Sequence, residues 1–266
     1  MLSSRVSGFR GSSVAAPVRC SAQPIRARVV RVQAFGPSGA PATKPGAEKQ
    51  EKEKGFINDM RRVAMKMHTK DQAPKEGEQK AAPAPKVWAP TRPGYLRFLV
   101  ESKVVYETFQ KAAQSKAHPE YAAFASTGLE RSAGLAADIV WMSSKYGIPA
   151  PVPKPDGPGA LYSKKIAELA ESDPQAFICH YYNFFFAHTA GGKMIGNKVA
   201  EMLLDGEQIN FYKYEGEVQE LLDGVRRNIN SLAETWTPEQ QAHCLEETTE
   251  SFKMAGQIMQ CITAEE

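Results

Sequence analysis

The sequence predicts an all-α protein that forms a single helical bundle. From residue 56 onward, apolar residues recur three or four positions apart, which places them on one face of an α-helix. No segment shows the alternation of apolar and polar residues that is typical of a half-buried β-strand. Bundles of this kind hold ligands and cofactors between facing helices.

The first 34 residues have the composition of an organelle transit peptide. They contain six arginines and six serines but no Asp, Glu or Lys. Because all six charges are positive, removal of this segment lowers the formal net charge from +3 to −3, which leaves nucleic-acid binding without an electrostatic basis. Residues 35–54 are rich in Gly, Pro, Ala, Lys and Glu, as in a disordered, solvated linker. Residues 55–266 are therefore expected to form the folded domain.

Composition also argues against two classes of protein. No run of about 18 uncharged apolar residues is present, so no transmembrane segment is expected. The cysteines beyond the transit peptide are Cys179, Cys244 and Cys261, and none forms a Cys-x-x-Cys pair. A disulfide framework, a cysteine-based zinc site and covalent cofactor attachment are therefore unsupported, and we expect three reduced, packed thiols.

Start and stop signals divide the chain into helices. Asp173-Pro174 and Thr237-Pro238-Glu239-Gln240 place a capping residue directly before a proline, a pattern typical of helix N-termini. Alternating prolines exclude a helix over residues 149–155. The apolar periodicity predicts helices over residues 56–70, 94–109, 129–146, 160–171, 174–203, 218–229 and 238–263.

The helix predicted to begin at Pro174 contains many aromatic residues, which are followed by two glycines without side chains, Gly191-Gly192. In a helix interior each glycine costs about 0.5–1 kcal/mol relative to alanine. A flat or bulky ligand that approaches the backbone would explain the pair. The alternative is close packing of two helices, or a helix end at the glycines.

His68 lies near the end of the first predicted helix, two turns after Arg61 and on the same face. A carboxylate-bridged di-iron site is excluded, because no histidine follows a glutamate by three positions. A histidine on one side and a bare glycine backbone on the other leave room for a flat macrocycle. Haem iron would then bind His68, and Arg61 would bind a haem propionate. The alternative is that His68 is a surface residue or a partner of the helix dipole.

Five separate blocks of sequence resemble the plastid haem oxygenases of plants and algae. The similarity extends over roughly residues 56–263, nearly the whole chain beyond the linker. It implies a single-domain haem oxygenase-type helical bundle, in which haem b is both substrate and prosthetic group and is sandwiched between a proximal and a distal helix. The five blocks are Val63–Ala73, Gly94–Val100, Thr127–Arg131, Asp173–His180 and His243–Thr248.

The resemblance implies roles for individual residues. His68 matches the family's proximal iron ligand, and Gly191 and Gly192 match the glycine pair of the distal helix. The chain departs from the family pattern at His188, where animal and many bacterial members have an aspartate that orders water near the iron. Histidine can donate to or accept from such a water; the alternative is a core histidine with no catalytic part. The residues expected to hold the haem propionates are Arg61, Tyr182 and Arg226.

The activity implied by the resemblance is that of a ferredoxin-dependent enzyme of the chloroplast stroma. A monomer is expected, because no excess apolar face in the sequence argues against one. The enzyme would use O₂ and electrons from reduced ferredoxin to open haem at the α-meso carbon, giving biliverdin IXα, CO and Fe²⁺. A bilin reductase would act downstream. Because ferredoxin is acidic, a basic patch is expected, and its candidate residues are Lys66, Lys70, Lys193 and Lys198.

Two alternatives come from other classes of protein. The first is a carrier or regulator of the same fold that binds haem or another tetrapyrrole without catalysis, although the presence of His68 favours the enzyme. The second is a thiamin-degrading enzyme of related helical architecture, in which Cys179 would be the nucleophile.

Overall fold

The computed structural model describes residues 55–72, 88–115 and 118–264. Regular secondary structure in these ranges is entirely helical, which confirms the all-α prediction. The predicted transit peptide and linker, residues 1–34 and 35–54, lie outside the described residues. The α-helices, numbered in chain order, are α1 (Ile57–Gln72), α2 (Arg92–Ala113), α3 (Ser132–Tyr146), α4 (Pro158–Ser172), α5 (Pro174–Thr189), α6 (Gly191–Leu203), α7 (Val218–Ala233), α8 (Pro238–Glu246) and α9 (Thr248–Gln260). Short 3₁₀ helices occupy Pro119–Phe124, Asn210–Tyr212 and Cys261–Thr263.

The two predicted capping sequences start two helices. The Asp173 carboxylate accepts a hydrogen bond from the Ala176 amide (3.1 Å) at the start of α5. Thr237 and Gln240 exchange the two hydrogen bonds of a capping box at the start of α8. In both helices a proline occupies the first helical position, where an amide hydrogen would have no intrahelical partner. Local sequence therefore determines where these helices begin.

Two helices that the periodicity predicts as continuous are broken. The backbone of Ala190 (φ −112°, ψ −93°) is not helical and separates α5 from α6. The prediction of one helix through the glycine pair is therefore wrong, and the alternative of a helix end there agrees with the structure. The second break is at Glu247, between α8 and α9. Its carboxylate lies 3.1 Å from the His180 imidazole of α5, a long-range contact that periodicity cannot anticipate.

Helices α2 and α5 form the centre of the bundle. α2 packs against α3 and α4, and α5 packs against α4, α6, α8 and α9. Most aromatic side chains of α5 are buried and pack against other aromatic rings. Each pair of packed rings contributes about 0.5–1.5 kcal/mol beyond the area that it buries. The ring of Phe109 on α2 lies 5.5–5.8 Å, centroid to centroid, from the rings of Phe177, Tyr181, Phe184 and Phe185.

None of the helices in the described ranges is long and apolar enough to cross a membrane. Cys179, Cys244 and Cys261 are free, buried thiols, as the cysteine spacing predicts.

Helix α6 lies close to the 3₁₀ helix Asn210–Tyr212 because Gly196 has no side chain. A Cβ atom at Gly196 would lie 2.1 Å from Cε2 of Tyr212, and Tyr212 is itself buried. Gly256, in the interior of α9, offers a comparison, because no atom lies within 4 Å of the same position there.

We expect Gly196→Ala to lower the free energy of unfolding by about 1–3 kcal/mol, because the Tyr212 ring must move to admit the methyl group. The matched variant Gly256→Ala should raise it by about 0.5–1 kcal/mol, since alanine is the better residue in a helix interior. Urea unfolding followed by circular dichroism measures both changes. Equal effects of the two substitutions would contradict the tight contact between α6 and Tyr212.

Candidate functional site

Helix α1 is fixed to the bundle at its first turn. The Ile57 amide donates to Oδ1 of Asn230 on α7 (2.9 Å). The Phe56 ring packs edge-on against Trp236, with 5.7 Å between ring centroids. Through these and further contacts, α1 packs against α7, α8 and α9. The start of α1 is therefore well anchored, and its second half carries the predicted iron ligand.

Arg61 and His68 lie two turns apart along α1. The Arg61 side chain is exposed, and α1 packs against the helix that carries Arg226. The His68 and Lys70 side chains lie outside the described residues. The assignment of His68 as a ligand therefore stays a prediction.

The two glycines at the start of α6 have different surroundings. No atom lies within 4 Å of the position that a Cβ of Gly191 would occupy, whereas a Cβ of Gly192 would lie 3.2 Å from the Ala187 carbonyl oxygen and from Cδ2 of His188. Gly192 thus allows α6 to begin close to the last turn of α5. Gly191 leaves open space in front of the backbone, where a flat group could lie.

His188, in the last turn of α5, is held by a carbonyl and a phenol. Its Nδ1 atom lies 2.8 Å from the Phe184 carbonyl oxygen and 3.1 Å from the Tyr106 hydroxyl. A carbonyl oxygen can only accept a hydrogen bond, so Nδ1 carries the hydrogen and donates it to Phe184. This leaves Nε2 as the acceptor nitrogen, the atom through which His188 could order a water.

The surroundings of His188 keep its imidazole neutral. The residue is only 5 % exposed. Burial lowers the pKa of His188 to about 4, although the Phe184 carbonyl partly opposes this effect. Four rings face the imidazole at centroid distances of 4.8–6.3 Å, those of Phe98, Tyr106, Phe184 and Phe211.

The structure brings Tyr182 and Arg226 together around one ring. The Tyr182 ring lies 4.5 Å from that of Phe186, one turn further along α5. The Arg226 guanidinium, on α7, lies over the same Phe186 ring at 5.4 Å and forms an ion pair with Asp223. Two of the three predicted propionate partners therefore share one neighbourhood.

Three residues near the candidate site, Tyr106, Phe211 and Asp138, carry no functional signal in a sequence motif. Tyr106 lies within the predicted helix 94–109, and Phe211 lies in the aromatic segment Phe211-Tyr212-Lys213-Tyr214. Neither pattern reveals a contact with His188. Asp138 could have been noticed, because it is the one acidic residue in the sequence of α3, and the structure shows that it is buried.

Cys179, the candidate nucleophile of a thiamin-degrading enzyme, lies in the core. Its sulfur contacts the Thr248 hydroxyl and the Asn183 amide nitrogen, each at 3.4 Å. The residue is fully buried, so a substrate could not reach it.

The residues near the α5–α6 junction fit a flat, largely apolar group with anionic substituents. Gly191 leaves open space, and Met194, one turn later on α6, is 74 % exposed and offers apolar surface. Arg226 provides a cation and Tyr182 a phenol. Haem, a flat macrocycle with two propionates, has the matching shape and charge.

We expect His188 to make the free energy of unfolding fall as the pH drops. Its pKa is about 4 in the folded chain and about 6.5 in the unfolded chain, so between these values the unfolded chain binds more protons. The difference corresponds to about 3 kcal/mol, lost as the pH falls from about 6.5 to about 4. Urea unfolding at pH 7 and pH 4.5 measures the loss. His188→Gln, which cannot titrate, should lose about 2 kcal/mol less than the wild-type protein, and equal losses would show that His188 is not a buried neutral imidazole.

Comparison with known proteins finds a matching family model and similar chloroplastic proteins. Residues 89–261 match the family model described as Heme oxygenase. The chain is 51 % identical over 232 residues to "Heme oxygenase 1, chloroplastic" of Arabidopsis thaliana, a match that covers 83 % of this chain and 80 % of that protein. It is 48 % identical over 213 residues to "Heme oxygenase 1, chloroplastic" of Oryza sativa subsp. japonica, covering 80 % and 72 %.

The crystal structure of heme oxygenase-1 from the cyanobacterium Synechocystis, in complex with heme, has the same fold. It superposes with a TM-score of 0.60 at 15 % identity, over 78 % of this chain and 91 % of that chain. The family model covers more than half of the chain, and two chloroplastic relatives match most of it. The resemblance found in the sequence is confirmed, and the chain belongs to the heme oxygenase family.

Proposed function

We propose that this chain is a chloroplast haem oxygenase that opens haem at the α-meso carbon and releases biliverdin IXα, CO and Fe²⁺. Family membership supports haem as substrate and prosthetic group. The observation that carries the proposal is the α5–α6 junction, where Gly191 faces open space and the next residue, Gly192, packs against the neutral imidazole of His188. When bound, haem supplies the iron that activates O₂ and the macrocycle that is oxidised.

His68 and the α5–α6 junction would hold the two faces of the macrocycle. His68 would bind the iron through an imidazole nitrogen from α1. On the other face, Gly191 lets the backbone approach the plane, because no side chain fills the space in front of it. Gly191 also presents no acid, so the junction would restrict small ligands by shape rather than by charge.

His188 would hold a water through Nε2. Its Nδ1 hydrogen is donated to the Phe184 carbonyl, which fixes the orientation of the ring. With a pKa of about 4, the imidazole carries no proton on Nε2 near pH 7. It can accept a hydrogen bond from water but is not itself a strong acid. We therefore assign His188 to the positioning of water and not to the donation of its own proton.

The propionates would bind to Arg226, Tyr182 and Arg61. Arg226 lies over Phe186 and pairs with Asp223, so its guanidinium is already oriented. Arg61 is exposed on the neighbouring helix. A guanidinium can bind a carboxylate through two parallel hydrogen bonds, which suits this role.

The electron donor is proposed to be ferredoxin. Lys193 and Lys198 are both exposed on α6, next to the glycine junction, and would suit an acidic partner. Lys198 lies over the Trp88 ring, with Nζ 5.1 Å from the centroid. The chloroplastic relatives support a chloroplast location. Val32-Gln33-Ala34 suits processing in the stroma, where a bilin reductase would act downstream on the product.

In His68→Ala we expect turnover to be lost while the protein still folds, because alanine is well tolerated in a helix. Wild-type protein mixed with haem should give the Soret band of histidine-ligated haem, and reduced ferredoxin with O₂ should then produce biliverdin absorbance. The variant should lose both signals, and added imidazole should restore the spectrum. Unchanged biliverdin formation would exclude His68 as the ligand. A wild-type protein that binds haem without forming biliverdin would be a carrier.

Gly191→Val tests whether Gly191 leaves space for haem without being needed for the stability of the fold. We expect its free energy of unfolding to change by less than about 0.5 kcal/mol, because open space lies in front of Gly191. Turnover should fall at least about tenfold, or the product should become a mixture of biliverdin isomers, because the side chain enters the space left for the macrocycle. The control is Gly256→Val, which also enters open space but on α9. Wild-type rate and product from Gly191→Val would exclude the role of this glycine.

A further inference from the structure

Residues 210–214 contact both helices that meet at the α5–α6 junction. The Phe211 ring lies 5.1 Å from the His188 ring of α5. The Tyr212 ring covers Gly196 of α6 so closely that a Cβ there would overlap it. Both aromatic residues are buried. The position of this segment therefore bears on where both helices lie.

Asp138 on α3 holds the first part of the segment. Its Oδ1 atom accepts hydrogen bonds from the Asn210 amide and the Asn210 side chain, both at 2.8 Å. Its Oδ2 atom accepts from the Phe211 amide at 2.7 Å. Asp138 is 1 % exposed, and three N–H donors match the acceptor capacity of an ionised carboxylate. Burial raises the pKa of Asp138, but these hydrogen bonds oppose the rise.

Arg131, the residue before α3, holds the last part of the segment. Its Nη1 atom donates to the Lys213 carbonyl, and its guanidinium lies over the Tyr214 ring at 4.0 Å. Its Nη2 atom donates to the Gly128 carbonyl at 3.1 Å, which ties the guanidinium to its own loop. Arg131 is the N-cap residue of α3 and precedes Asp138 by seven residues, about two helical turns, so both side chains reach residues 210–214 from the same side of α3.

Gly134 lies between these two residues on the same face and allows the segment to approach. A Cβ at Gly134 would lie 3.2 Å from the Asn210 carbonyl oxygen, which is tighter than normal packing. Along this side of α3, the Asp138 carboxylate and the Arg131 guanidinium bind residues 210–214, and Gly134 leaves room for the backbone of that segment.

We propose that Asp138 and Arg131 are positioning residues for haem oxygenation, an inference that rests on the proposed function. By fixing residues 210–214 on α3, they hold Phe211 against His188 and Tyr212 against α6. They thereby set the angle at which the junction presents Gly191 and the Nε2 atom of His188 to the ligand. Asp138 and Arg131 thus affect the reaction through the position of residues 210–214.

Asp138→Asn tests this with little change in volume. Whichever way the new amide turns, its NH₂ group faces a backbone donor, so one end of the segment is released. In the ligand-free protein we expect backbone hydrogen exchange to become about tenfold faster in residues 210–214 and also in residues 188–196, but not in α9. With haem bound, kcat should fall and the share of isomers other than IXα should rise, while the haem Kd stays within about threefold.

Glu101→Gln is the matched control. Glu101 is also a buried helix carboxylate, 3 % exposed, and its Oε2 atom accepts from the Gly159 amide at 2.8 Å. It joins α2 to the start of α4 and has no part in holding residues 210–214. This variant should lose stability but keep wild-type exchange in residues 188–196 and a wild-type isomer ratio.

Faster exchange confined to residues 210–214, with residues 188–196 unchanged, would overturn the proposal. If Asp138→Asn does not fold, Arg131→Lys releases the other end of the segment and must give the same exchange pattern. A wild-type protein that forms no biliverdin would overturn the proposed function instead. The exchange measurement on the ligand-free protein is independent of that outcome.

Discussion

The complete burial of most of α5 is the constraint on which the rest of the structure depends. All residues from 176 to 185 are buried, so no side of this part of the helix meets water. Its polar side chains must find partners inside the protein, since an unpartnered buried polar group costs about 1–3 kcal/mol. α4 and the connection between α8 and α9 supply such partners: His180 lies 2.9 Å from the Tyr162 hydroxyl of α4 and 3.1 Å from the carboxylate of Glu247, the residue between α8 and α9. The break between α8 and α9 occurs at that carboxylate.

Both histidines of α5 are buried, but their partners differ, and this difference distinguishes a histidine that joins helices from one that could act in the site. His180 meets the Glu247 carboxylate, and the hydrogen bond between them lowers the pKa of Glu247. His188 meets the Phe184 carbonyl within a cage of aromatic rings, and burial lowers its pKa to about 4. A charged imidazole is therefore less favourable at the end of α5 than in water by roughly 3 kcal/mol. The junction with α6 receives a neutral group with one free acceptor nitrogen.

Local signals predicted the parts of the fold that local chemistry controls. The caps at Asp173 and Thr237 start helices where the sequence places them. The break at Ala190 was predicted only as the alternative of a helix end at the glycines. Periodicity favours a continuous helix because alanine is the best helix former, and the contact of α6 with Tyr212 has no local signal in the sequence. The bonds between Asp138 and Asn210 join residues 72 positions apart, and periodicity carries no information about such pairs. A single acid in an apolar helix was the one available sign of them.

On the proposed function, the surroundings of residue 188 explain how a histidine could order a water at the position where the resemblance implies an aspartate in animal and many bacterial members. Resemblance located the position, but not the Phe184 carbonyl oxygen that lies 2.8 Å from Nδ1. That oxygen can only accept a hydrogen bond, so it matches an imidazole N–H and repels an ionised carboxylate. An aspartate in this cage would have to take up a proton or turn away. A neutral imidazole instead binds the carbonyl through Nδ1 and offers a lone pair at Nε2. On the proposed function, the water at this junction is then held by the shape of the aromatic cage and by one uncharged acceptor.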